Sequence, residues 1–137
     1  MLKQDYLVRM FVDFARAIRL TFERGKLKNA DPNATAEMLE LKIDAALDID
    51  ADMLLGLAPE SVANVLQVTG ADPRLMEYVC RTLLLESRVL MDGSREDLSD
   101  LREDQAFAIA EAYGIQLDGD SITPEGFEEL FAQDLPE

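Results

Sequence analysis

Residues 71–93 read ADPRLMEYVCRTLLLESRVLMDG. Asp72 supplies an oxygen that can accept a hydrogen bond from the first free amides of a helix, and Pro73 suits the first turn. Met76, Val79, Cys80, Leu83, Leu84, Leu90 and Met91 then recur at helical spacing as one broad apolar stripe. Gly93 follows as the stop. A helix with so wide a stripe must be covered by other helices.

The same grammar extends in both directions. Upstream, a first helix over residues 4–25 carries Leu7, Met10, Phe11, Phe14, Ile18 and Phe22 along one side, and Gly25 ends it. Asp31-Pro32 opens a second helix through Leu47. A short turn follows around Met53–Leu55, and Pro59-Glu60 opens a third helix that Gly70 closes. Downstream, a helix begins near Ser94–Asp97 and stops at Gly114, with Leu98, Leu101, Ala108, Ile109, Ala112 and Tyr113 on its apolar side and Gln105 beside it. A loop at Gln116–Ser121 leads to a last helix over residues 123–134, signalled by Thr123-Pro124-Glu125. No stretch alternates with period two, so no sheet is expected. The expectation is an all-α single domain over residues 1–137: an antiparallel bundle or helical-hairpin array of about six helices, with an acidic helical body over residues 31–114.

Hairpin arrays of the tetratricopeptide kind repeat near 34 residues, with a glycine after a leucine and a tyrosine three positions on. Gly93 follows Asp92 and has Glu96 at the tyrosine position; Gly56 follows Leu55, but Pro59 sits there. The architecture stays open while a diagnostic repeat is missing.

The opening Gln4-Asp5-Tyr6-Leu7-x-Arg9-Met10, the stretch Leu54-Leu55-x-Leu57-x-Pro59-Glu60 and the leucine-rich run Leu83–Gly93 together form a pattern. It resembles a bacterial family of helical proteins of unknown function that open on Gln-Asp-Tyr-aliphatic-x-Arg. The resemblance covers most of the chain. It implies a helical, partly tetratricopeptide-like fold and no activity, cofactor or site residue.

Composition narrows the chemistry. The chain of 137 residues has no histidine and one cysteine, Cys80. That rules out a serine–histidine–aspartate triad, a histidine metal ligand and an internal disulfide. Charges at Lys3, Asp5, Arg9 and Asp13 break any apolar run at the start, so neither a signal peptide nor a membrane span is expected, and the cytoplasm is the expected location. The net charge of −15 is uneven: residues 1–28 hold seven bases and three acids, the remainder six bases and 25 acids. Such a body repels phosphate backbones, which speaks against nucleic acid as a partner. The basic first helix either docks on the acidic remainder or meets an anionic partner or surface.

Candidate chemistry is sparse. Residues 118–127 look like part of a calcium loop, but placing Ile122 at loop position 8 puts Gly126 where a bidentate glutamate is needed, and starting at Asp118 puts Thr123 at the glycine position. Asp44, Asp48, Asp50 and Asp52 are a carboxylate run that Glu37, Glu40 or Glu86 would have to complete for a metal; the alternative is a solvated acidic surface. Cys80 sits on the apolar side of its helix as a small hydrophobe. Arg88, Arg95 and Arg102 recur every seven residues, and exposed ion pairs are their expected fate. No catalytic residue, cofactor or metal is assigned. The expected function is a non-enzymatic interaction or structural module with a protein partner or a second copy, and Phe11, Phe14 and Phe22 are the candidate self-association surface. A small carboxylate- or metal-dependent enzyme and a ligand sensor are the alternatives.

Overall fold

The computed structural model describes residues 2–47 and 50–136. Its elements are α1 (Leu2–Arg24), α2 (Pro32–Leu47), the single turn α3 (Ala51–Leu54), α4 (Pro59–Val68), α5 (Pro73–Asp92), α6 (Glu96–Tyr113), a 3₁₀ turn (Gly119–Ile122) and α7 (Pro124–Asp134). The protein is an all-α bundle, and the described residues form no strand.

The helix starts obey the capping chemistry. Asp31 and Asp72 accept from the backbone amides of Asn33 and Arg74 at 3.0 and 2.9 Å, each with proline at the first helical position. Thr123 caps α7 by accepting from the Gly126 amide at 3.0 Å. Gly114 ends α6 in the left-handed region at φ 67°. After α5 that conformation falls on Ser94, φ 62°, and not on Gly93. Gly93 meets a different demand: a Cβ there would lie 2.6 Å from Asn33 Oδ1, so glycine lets the end of α5 approach the start of α2.

α5 is the central rod. Twelve of its residues are buried, from Leu75 to Leu90, and they face several directions rather than one. α6 packs on it most extensively, then α2, with α1 alongside. Between α5 and α6, Ser87 Oγ donates to the Ser99 carbonyl and Ser99 Oγ to the Ser87 carbonyl, both at 2.8 Å. This reciprocal clasp satisfies two buried hydroxyls, and the small residues let the helices approach closely.

Short connections favour antiparallel neighbours. α5 and α6 follow this, because Ser87 pairs with Ser99 and Glu86 with Arg102. α4 does not. It packs on α6, not on α5 to which a short loop joins it. The Gln105 amide reaches the Leu57 carbonyl just before α4, and the Gln67 amide near its end reaches the Ala112 carbonyl, so α4 and α6 run in the same direction.

One contiguous apolar core includes residues of α1, α2, α4, α5, α6 and α7. Its aromatic end stacks Phe11 on Tyr78, with ring centroids 4.6 Å apart, and sets Phe14 and Phe131 around the same ring. The Tyr78 hydroxyl donates to Asp134 Oδ2 at 3.1 Å, giving the polar tip of a buried ring a partner. Arg81 fastens α7 by donating to the Ser121 and Gly126 carbonyls at 3.1 and 3.2 Å. No helix among the described residues is long and apolar enough to cross a membrane.

Candidate functional site

The first candidate surface is corrected by burial. Phe11 and Phe14 are each 1% exposed, packed against Tyr78, so neither offers a contact face to another molecule. Phe22 is half-buried. It meets Phe127 edge-on at 5.9 Å in a groove of about 240 Å³ between α1 and α7. Arg19 closes much of that groove, lying 5.0 Å over the Phe131 ring and donating twice to Glu128 at 2.9 and 2.8 Å.

The calcium-like tail is a capped turn. Asp118 Oδ1 accepts from the amide and the hydroxyl of Ser121, and the Ser121 hydroxyl oxygen in turn lies 3.2 Å from the Asp118 amide. The described residues gather no group of three or more metal-ligating side chains. Cys80 is buried, with its thiol pushed up to about 12, chiefly by burial. Burial, then the neighbouring Asp134 carboxylate, likewise raises the Tyr78 hydroxyl above its ordinary range. Both groups are therefore held in their protonated, poorly nucleophilic forms.

Chemistry concentrates on Arg102, which the heptad spacing placed among surface ion pairs. Arg102 is instead 6% exposed. Its Nε donates to Glu86 Oε2 at 3.1 Å, one terminal nitrogen to Glu40 Oε1 at 2.9 Å, and the other to the Leu55 carbonyl at 2.9 Å and Gln105 Oε1 at 3.0 Å. Gln105, expected beside the apolar stripe, is wholly buried; its amide group donates to the Leu55 and Leu57 carbonyls at 2.8 and 3.0 Å. These two side chains satisfy the backbone oxygens left free where α3 ends and α4 has not begun. Arg88, by contrast, makes the expected exposed pair, with Glu103 at 3.1 Å.

Two carboxylates and one guanidinium leave an excess negative charge in a dry place. Glu86 is 1% exposed, and its Oε1 meets no donor. Its carboxyl is pushed up to about 8, first by burial; Arg102 opposes the rise and Glu40 adds to it. Near neutral pH Glu86 therefore carries a proton.

Two members of this network, Glu40 and Glu86, line a cleft. The cleft has a volume of about 340 Å³, and Asp31, Asn33, Glu37 and Glu40 of α2 and its entry, Glu86 of α5, and Arg95 before α6 line it. A second hollow of about 140 Å³ adjoins it, sharing Glu37 and Glu40 and adding Asp44, Asp50 and Asp52. Most of the carboxylate run therefore lines one hollow with Glu37 and Glu40, two of the residues the sequence offered to complete a metal site; Glu40 is bound to Arg102 instead, and Glu86 lines only the larger cleft. Asp48 lies outside the described residues.

No family model matches this chain, and no curated protein or solved structure shows significant similarity to it.

Proposed function

We propose that this chain is a non-enzymatic helical interaction module, and that it works through the acidic side of α2 with a protein partner presenting a basic segment. The observation that carries this reading is the pair of adjoining hollows along α2, which share Glu37 and Glu40 and draw carboxylates from α2, α5 and residues 50–52. A predominantly negative surface set in concave walls focuses its field, attracts cations from a distance and repels nucleic acid. Charge elsewhere agrees: outside residues 1–28 acids outnumber bases by 25 to six.

The test is fluorescence anisotropy with a labelled arginine-rich helical peptide and a glutamate-rich one of equal length. The basic peptide binds and the acidic one does not. Binding weakens as salt rises, and the charge reversals Glu37→Lys and Asp52→Lys together remove it. Equal binding of both peptides, or no effect of the reversals, overturns the reading. Light scattering completes the test, since the basic first helix of a second copy is itself a candidate ligand.

A carboxylate enzyme is the second reading. It is favoured by Glu86, a carboxyl protonated near neutral pH beside Glu40 at a cleft wall, as a general acid would be. It requires a reaction that the wild type turns over and Glu86→Gln does not.

A further inference from the structure

A surface helix ordinarily turns polar residues outward. α2 departs from that rule. Its buried residues Thr35, Ala36, Leu39, Ile43 and Ala46 hold one side against the core. On the opposite side Ala34, Leu41 and Ala45 fall within about 40° of one another at 3.6 residues per turn, and all three are exposed. Leu41 is 62% exposed, and Met38, half-buried, lies beside the line. The bundle leaves this apolar stripe uncovered.

Charge decides what covers it. Leu41 lines the smaller hollow together with Glu37, Asp50 and Asp52, so the large side chain of the stripe and the carboxylates share one space. Glu37 and Asp44 follow each other two turns apart along the same flank. A second copy brings a further net charge of −15, which opposes its approach to this face. An extended basic segment satisfies the carboxylates but leaves the stripe wet. A helix with apolar residues along one side and basic residues along one edge meets both demands at once.

Resting on the reading of the α2 face as a docking surface for a basic partner, we propose that the occupant is an amphipathic α-helix of a partner protein, lying along α2 with its apolar side on Ala34, Leu41 and Ala45 and its basic edge over Glu37, Asp50 and Asp52.

Residue size sets how that helix lies. Ala34 and Ala45, at the two ends of the stripe, let its backbone approach closely, and Leu41 between them is the knob that its side chains enclose. Met38 adapts its shape to the partner at the edge. From Ala34 to Ala45 the stripe spans about 17 Å at 1.5 Å per residue, about three turns of the partner helix.

Fluorescence anisotropy with two arginine- and leucine-containing peptides of identical composition tests this. In the first the leucines fall on one helical side with the arginines along its edge; in the second the same residues are shuffled so that the leucines scatter around the helix. The first binds about tenfold more tightly, a difference of about 1.4 kcal/mol, and gains helical circular dichroism as it binds. The gap persists as salt rises, because apolar burial is not screened. Leu41→Gln, on the surface and folded with an unchanged unfolding midpoint, binds the first peptide as weakly as wild type binds the second, and leaves the second unaffected. Equal binding of the two peptides by wild type, or a gap that Leu41→Gln leaves intact, overturns the helix-docking stripe while leaving the acidic docking surface standing. Light scattering that finds a dimer of the protein alone, dissolved by Leu41→Gln, assigns the stripe to a second copy and overturns the proposal. No binding of either peptide overturns both the stripe and the docking surface.

Discussion

Arg102 Nε lies 3.1 Å from Glu86 Oε2, joining α6 to α5 through a hydrogen bond with almost no contact with water. The pair closes only because the same guanidinium also serves Glu40, Gln105 and the Leu55 carbonyl. A buried guanidinium network of this kind stabilises little against an apolar replacement of all its members, but removing the guanidinium alone strands the acceptors it serves, the Glu40 carboxylate among them. Arg102→Met should therefore cost about 3–5 kcal/mol, read as a fall in the urea midpoint. Arg102→Lys should recover only part of it, since an ammonium cannot reach four acceptors in a planar fork.

Glu86 makes stability depend on pH with a definite sign. Its folded-state value, about 8, stands above the ordinary 4.5 that the unfolded chain keeps, so the folded state binds the proton more tightly. Its contribution is fully present below about 4.5 and is lost as pH rises through 8. Thermal unfolding from pH 5 to 9 should show wild-type Tm falling relative to Glu86→Gln, the two differing most at the alkaline end. Parallel curves would show that Glu86 does not titrate in this window.

α7 depends on a close approach that glycine alone permits. A Cβ on Gly126 would collide with the Asp120 carbonyl oxygen in the backbone just before the helix. Gly126→Ala should force that turn to move, disturb the Arg81 bond to the Gly126 carbonyl, and cost about 1–3 kcal/mol. Amide hydrogen exchange should locate the loosening in residues 118–134.

In the core, Leu83 has no exposed surface and lies at the middle of α5. Leu83→Ala should cost about 2–5 kcal/mol in chemical denaturation. Leu41→Ala, at a position 62% exposed on α2, should change stability by less than about 0.5 kcal/mol.

Much of the fold was legible because helix ends announce themselves locally. Asp31-Pro32, Asp72-Pro73 and Thr123-Pro124 each mark an observed start to the residue, and Gly114 an observed stop. The site was harder to see. Helical periodicity assigns polar residues to the outside, yet Gln105 and Arg102 are inside because carbonyls near Leu55, about fifty positions away in sequence, need donors there. No local pattern carries that demand. The spacing also placed Phe11 and Phe14 on a common side without revealing that Tyr78 and Phe131 already cover them. α4 lies along α6 for a similar reason: the polar bridge from Gln105 to Leu57 fixes its start, and loop length alone favoured α5. Glu40 and Glu86 were named among carboxylates able to converge. Their convergence on an internal arginine was not legible, since the arginine comb pointed to solvent.

The central claim, that the acidic side of α2 receives a basic partner, is tested most directly by mapping backbone amide shifts of the ¹⁵N-labelled protein during titration with the arginine-rich peptide. Perturbations should concentrate at residues 31–44, 50–52 and 86, and α7 should stay still. Shifts centred on the α1–α7 groove around Phe22 and Phe127, or spread evenly over the molecule, would contradict it.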